Sequence, residues 1–209
     1  MAGASGRPRD PAIDAAVLKA TVEELRAGGY GGFALERVAA RAGTTKAAIR
    51  RRWPQRQRLV VDALAALLAV PEAPDNGCTR CDLQQSVRLL ARTLDERLPA
   101  GVLAPLLADC AGDAELHGHL METLVEPSRA AALVAVRRAV ARGDLVAEAD
   151  PETVVDLLAS VVYQRVLFGR TRAEVGPLVD LVLKGVAVDF ERLVEISRLS
   201  PEERAGHRH

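Results

Sequence analysis

The stretch Ala39-Ala40-Arg41-Ala42-Gly43-Thr44-Thr45-Lys46-Ala47-Ala48-Ile49 limits this chain more than any other. Two helical segments separated by so short a break must cross closely, and each restrictive position holds a residue type that permits it. Ala39 is small enough for the second helix to approach the third, Gly43 suits the left-handed backbone of a sharp turn, and Ile49 returns to a core. Thr45 is placed to cap the third helix. By periodicity, Val38 and Trp53 complete a small core with Val17 and Leu59. The pattern is that of a helix-turn-helix.

Apolar residues elsewhere recur at three- and four-residue spacing, and no sustained alternating run reads as a strand. A first helix is expected from Pro11 to Ala27. Asp10 is its N-cap, Pro11 its first helical residue, Gly28-Gly29 its stop, and Ile13, Val17, Ala20, Val22 and Leu25 its buried stripe. Helices follow over Leu35 to Ala42, Lys46 to Trp53 and Gln55 to Val70. The run Pro71, Pro74, Asp75, Asn76, Gly77 is a loop. Beyond it, helices are expected over Asp82 to Leu98, Val102 to Ala111, Ala114 to Leu124, Glu126 to Arg142, Pro151 to Phe168 and Pro177 to Arg198. Asp150-Pro151-Glu152 is a second capped start and Gly143 a stop. Ser200-Pro201-Glu202-Glu203 opens one last turn. The fold class is therefore all-α. An N-terminal three-helix domain spans 1–55, a connecting helix and hinge loop 56–81, and a larger helical bundle 82–209.

Charge divides along the same line. Residues 1–60 hold twelve Lys and Arg against five Asp and Glu, a net +7, and the remainder balances this at −7. A basic head on an acidic body suits a chain of which one end approaches a polyanion. The apolar stretches Leu64 to Val70 and Val154 to Val162 are too short to span a membrane. The basic start, Met1 to Pro11, lacks the apolar core of a secretion signal. A cytoplasmic protein with no membrane partner is expected. Three cysteines without an export signal predict reduced thiols and no disulfide.

The third helix carries Lys46, Arg50, Arg51 and Arg52, and Arg56 and Arg58 follow. Arginine neutralises phosphates or forks onto guanine edges. A bare basic run also describes a solvated face; the turn spacing before it favours DNA. The match from Val17 through Ala39, Gly43, Thr45, Lys46, Ile49, Trp53, Pro54 and Leu59 resembles the tetracycline-repressor family of transcriptional regulators. The resemblance implies that Lys46, Ala47, Ala48, Arg50 and Arg51 lie in the major groove. Thr45, Arg52 and Arg56 complete the expected DNA-binding set. Two positions depart from the family: Arg50 stands at a usual tyrosine, and Arg56-Gln57 at a usual Lys-Glu. Both keep or raise positive charge. Arg7 and Arg9, ahead of the first helix, read either as an arm reaching phosphate or minor groove or as a free terminus.

Beyond residue 70 the resemblance implies a regulatory domain in which the last two long helices make a four-helix dimer interface. Val154, Leu158, Val161, Val162 and Val166, with Leu178, Leu181, Val182, Val186 and Phe190, supply stripes for that face, although the same stripes also suit a core alone. A small-molecule pocket is likewise implied, with His117, His119, Met121, Arg129, Tyr163 and Gln164 as candidates, and low aromatic content tilts toward a small or aliphatic ligand. Cys78-Thr79-Arg80-Cys81 is a lone pair, too few ligands for a metal site, so neither metal nor cofactor is expected. No G-x-S-x-G or H-E-x-x-H is present, and no enzyme activity is expected. The expected protein is a homodimeric repressor, released from a palindromic operator when a small molecule binds.

Overall fold

A computed structural model describes residues 11–68, 72–169 and 174–205. The Asp10 cap and the Arg7 and Arg9 arm lie outside them. The described residues form helices α1 (Pro11–Gly28), α2 (Leu35–Arg41), α3 (Lys46–Arg52), α4 (Arg56–Leu68), α5 (Thr79–Arg92), α6 (Leu103–Cys110), α7 (Ala114–Leu120), α8 (Glu126–Ala141), α9 (Pro151–Phe168), α10 (Val175–Val186), α11 (Phe190–Arg198) and α12 (Pro201–Ala205). The fold is all-α, with an N-terminal helix-turn-helix, as expected. Among the described residues no helix is long and apolar enough to cross a membrane.

Local chemistry sets the boundaries. Asp150 caps α9 by accepting from the amides of Glu152 and Thr153, and Pro151 occupies the first turn, where its missing N–H costs nothing. Asp113 caps α7 and Asp189 caps α11 in the same way. Ser200 and Glu203 exchange side-chain-to-amide bonds around the start of α12, the reciprocal box its sequence announces.

Four expected boundaries are corrected. The Pro177 to Arg198 helix is two helices. At the break, the Val146 amide donates to Val186 O at 2.9 Å and the Val188 amide to Asp144 O at 3.0 Å. That exchange, together with the Asp189 cap, makes a short bridge more favourable than continued helix. The helix expected from Asp82 begins at Thr79, capped by Cys78. Asp82 instead lies buried in the first turn of that helix, where it accepts from the Asn76 amide and side chain of the preceding loop, both at 2.8 Å. The expected runs to Leu98 and Leu124 end in wider π-helical turns, Thr93–Arg97 and Met121–Val125.

The chain groups into two compact units that interleave in sequence. One contains 1–67 with 99–123, and the other 68–98 with 124–209. Pro99–Thr123, with α6 and α7, thus clusters with the N-terminal helices, and the stretch before residue 82 from 68 onward with the second unit. In the first unit, Val17, Leu25, Val38, Ile49, Leu59 and Leu64 form the core. Of the expected α1 stripe, Ile13 alone is only half-buried. In the second unit α5 is central, packing against α8, α9, α10 and α11.

Candidate nucleic-acid interface and apolar cavity

The turn between α2 and α3 is built as its residues require. Gly43 has φ +63°, a left-handed conformation costing an L side chain about 1–2 kcal/mol. The Thr45 hydroxyl accepts from the Ala48 amide at 3.1 Å and so caps α3. Ile49 and Val38 are fully buried and Ala39 nearly so, which holds the two short helices together on one side and leaves the other face of α3 to solvent. Thr45, Ala47, Arg50 and Arg51 are exposed, while Lys46 and Ala48 are half-exposed.

The basic residues divide by what they touch. Arg50 and Arg51 make no hydrogen bond or ion pair among the described residues. Lys46 pairs with Glu36 of α2, and that contact holds the Glu36 carboxyl below its ordinary pKa. Arg52 turns inward to Asp14 of α1 at 2.9 Å, both side chains less than one-fifth exposed. Arg56 lies over the Tyr30 ring, 4.5 Å from its centroid, and reaches Asp109 at 3.3 Å. Arg58 pairs with Glu115 at 3.1 Å. Of the expected arginines, only Arg50 and Arg51 lack a hydrogen bond or ion pair among the described residues, and Arg50 adds a weak electrostatic pull on Glu36.

One group that the sequence reading did not single out holds this unit together. Glu24, about 1% exposed on α1, accepts from Arg37 Nε of α2 at 2.6 Å, and Arg41 lies 3.9 Å away. The Arg37 hydrogen bond lowers the Glu24 pKa against the opposing effect of burial. A carboxylate so buried is tolerated because it is paired. The same Arg37 donates to Gly32 O, pinning the α1–α2 connection. Glu24 and Arg37 carry no helix-period signal that separates them from solvated charges.

Asp62 of α4 is a second junction. It accepts from Trp53 Nε1 at 2.8 Å and bonds His119 Nε2 at 2.6 Å. His119 is thus engaged in the first unit. His117 is exposed on α7 in the same unit, and Met121 is half-buried there.

The second unit encloses an apolar cavity of about 230 Å³. Leu83, Val87 and Leu90 of α5, Ala132 and Val136 of α8, and Leu158 and Ala159 of α9 supply most of its wall. Its polar lining includes Glu72, Arg129, Asp156 and Tyr163. Of the expected ligand residues, the cavity takes Arg129 and Tyr163. It does not include His117 or Met121, nor Gln164, which sits one step round α9 from Tyr163 and is exposed. Arg129 bonds Asp156 at 2.9 Å and pairs with Glu152 at 2.5 Å and Glu126 at 3.7 Å. Asp156 foremost, and then Glu152, raise its pKa further against the opposing effect of burial. Burial, and then the negative charge of Glu126, raise the pKa of Tyr163.

The expected dimer stripe also divides. Val154, Leu158 and Val162 are buried within their own unit, and Val161, Leu178, Val182 and Val186 are half-exposed. Leu181 is 71% exposed, and so are Leu157 at 51% and Phe168 at 74%, both on α9. Within that unit α9 packs on α5 and α8.

The cysteines overturn one expectation. Cys78 and Cys81 are joined as a disulfide across the first turn of α5. The i, i+3 spacing of a helix start brings the two side chains together, which counting cysteines alone does not reveal. Cys110 is a buried free thiol whose pKa is raised by burial and by Asp109 and Asp113. Among the described residues no group of three or more His, Cys, Asp or Glu is placed to hold a metal.

A capped, glycine-turned helix pair with free arginines on its outer face, accompanied by a second helical unit, defines a helix-turn-helix DNA-binding regulator. Residues 17–63 match the model of the bacterial regulatory proteins of the tetR family, and residues 73–183 that of the tetracyclin repressor-like C-terminal domain. The chain belongs to the TetR family of transcriptional regulators, and it is not an enzyme. It is 29% identical to the DNA-binding transcriptional repressor TetR of Mycobacteroides abscessus, over 86% of this chain and 94% of that one. It is 26% identical to the HTH-type transcriptional regulator YdeS of Bacillus subtilis, over 89% and 96%. Among solved structures, the TetR family transcription regulator SCO0332 is similar at TM-score 0.65 and 28% identity, covering 83% of this chain and 98% of that one.

Proposed function

We propose that this regulator is a cytoplasmic, homodimeric repressor that leaves a palindromic operator when a small molecule fills the cavity of its second unit. The observation that carries the DNA reading is the pair Arg50 and Arg51, cationic, exposed and without a hydrogen bond or ion pair among the described residues, on α3 beside the buried Ile49. Thr45, Lys46, Ala47 and Ala48 share the N-terminal half of that helix, where a recognition helix meets base edges. Arg50 and Arg51 reach bases or phosphates directly. Arg52 and Arg56, tied to Asp14 and to Tyr30 with Asp109, act by holding α3 and α4 in place.

A two-fold operator requires two copies of α3 about one helical turn apart, ~34–36 Å. Leu157, Val161 and Phe168 of α9, with Leu178, Leu181 and Val182 of α10, are apolar and at least partly exposed, and a second copy of the chain would cover them. An exposed apolar set of this kind marks an interface. Release by ligand follows from linkage: whatever binds the cavity better in the free protein weakens operator affinity, and the operator weakens ligand binding by the same factor.

Selection of bound sequences from a random duplex pool, repeated over a series of salt concentrations, tests the reading. A palindromic site with half-sites one turn apart and a steep fall of affinity with salt is expected. Weak, sequence-independent binding throughout would overturn it. For the cavity, Ala159→Phe is expected to abolish release by a cognate ligand while leaving operator binding intact.

A further inference from the structure

The charge arrangement around the cavity narrows what it accepts. Its wall is almost wholly aliphatic, so a ligand must bring an apolar body. An apolar cavity of ~150 Å³ holds benzene, and the larger space here suits a body of about eight carbons. The polar groups then decide the head. The one cation named in the lining, Arg129, is already shared among Asp156, Glu152 and Glu126, so a ligand carboxylate or phosphate would have to displace a carboxylate the protein itself supplies. Glu72, by contrast, lines the cavity with no ion pair or hydrogen bond among the described residues. Tyr163 is on the same lining, and an aromatic ring offers a cation the negative face of its quadrupole. The charged residues of the lining, Glu72 and Asp156 against Arg129, leave one net negative charge around an apolar space.

We infer that the cavity selects an apolar monocation, a lipophilic amine or ammonium whose hydrocarbon body packs against α5, α8 and α9 while its charge lies near Glu72, Asp156 and Tyr163. Anionic amphiphiles are disfavoured, because they would face those carboxylates with no free cation to meet them. The inference rests on the reading of this cavity as the ligand site and adds the charge of the ligand to it.

The test uses three probes that share one chain and differ in charge: octylamine, octanol and octanoate, titrated calorimetrically into the full-length protein at neutral pH and at concentrations where all are monomeric. Octylamine is expected to bind at least tenfold more tightly than octanoate, with octanol between them. Glu72→Gln, a change at an exposed residue, is expected to lower octylamine affinity severalfold and leave octanol unchanged. Asp156→Asn with Glu152→Gln leaves Arg129 only its longer pair with Glu126 and is expected to raise octanoate affinity. Equal or tighter binding of octanoate to the unmodified protein would overturn the charge inference while leaving the cavity a ligand site. Binding of none of the three, in a protein that melts cooperatively, would overturn the cavity reading itself. An Ala159→Phe variant that binds octylamine as well as the unmodified chain would place binding elsewhere and overturn both.

Discussion

The hydroxyl of Tyr30 donates to Asp109 Oδ2 at 2.8 Å, joining the α1–α2 connection to α6 across 79 positions of sequence. Arg56, at the head of α4, rests on the same ring and reaches the same carboxylate. Burial foremost, opposed by the Arg56 hydrogen bond and assisted by Asp109, pushes the Tyr30 hydroxyl from 10.0 up to about 12. A raised pKa means that the neutral form is the one the fold prefers. The stability it contributes is complete below pH 10 and is lost as pH rises from 10 toward 12. Tyr30→Phe is expected to lower stability by about 1 kcal/mol at neutral pH and to flatten the alkaline fall. Denaturant melts of both proteins over that range check it; an unchanged alkaline slope in the variant would assign the effect to other groups.

Neighbouring arginines on α3 are expected to fail in different ways. Arg51→Ala should weaken operator binding with the melting temperature unchanged. Uniform weakening, with the salt slope shallower by about 1, marks a phosphate contact, whereas a changed base preference marks direct readout. Arg52→Ala leaves Asp14 without its guanidinium and should cost about 1–2 kcal/mol of stability. Paired melting and binding measurements on the two variants separate these effects, and equal stability of both would remove the internal role given to Arg52.

Leu181 is the most exposed large hydrophobic residue of α10, at 71%. Leu181→Glu sets a charge on the proposed dimer face and is expected to yield a folded monomer by analytical ultracentrifugation, with operator affinity reduced by at least two orders of magnitude. A variant that remains dimeric would move the interface off this helix.

Thiol counting reports on the Cys78–Cys81 bond. Protein purified without reductant and then denatured should react with a thiol reagent at one position, Cys110, and at all three cysteines once reduced. Under native conditions Cys110 should react slowly, since burial raises its pKa and shields it. Three thiols in the unreduced, denatured protein would show that the bond does not form.

The recognition element was legible because its constraints are local. Gly43 must take a positive φ, Thr45 must cap, and Val38, Ala39 and Ile49 must face inward, all within one short segment. Helices α1, α8 and α9 were legible for the same reason, through their proline starts, glycine stops or apolar periods. The Pro177 to Arg198 run misled, because its apolar period continues across a break set by backbone bonds to Asp144 and Val146, more than thirty residues away. The ligand candidates divided on helix phase and on grouping. Arg129 and Tyr163 face the cavity, Gln164 is a step too far round α9, and His117 and Met121 belong to the other unit.

By itself the sequence determined that this chain is all-helical, that a short glycine turn presents a basic helix, and that this places it among tetracycline-repressor-like regulators. Those properties depend on neighbours a few residues apart, and period, caps and turn residues record them directly. Only the tertiary structure decided which arginines are free and which are spent on Asp14 or Asp109, that Glu24 lies buried under Arg37, and that three carboxylates engage the cavity's arginine. A charged side chain looks the same in sequence whether it meets water, a phosphate or a carboxylate. What it meets is set by the packing of helices distant along the chain, and that packing alone fixes its electrostatic role.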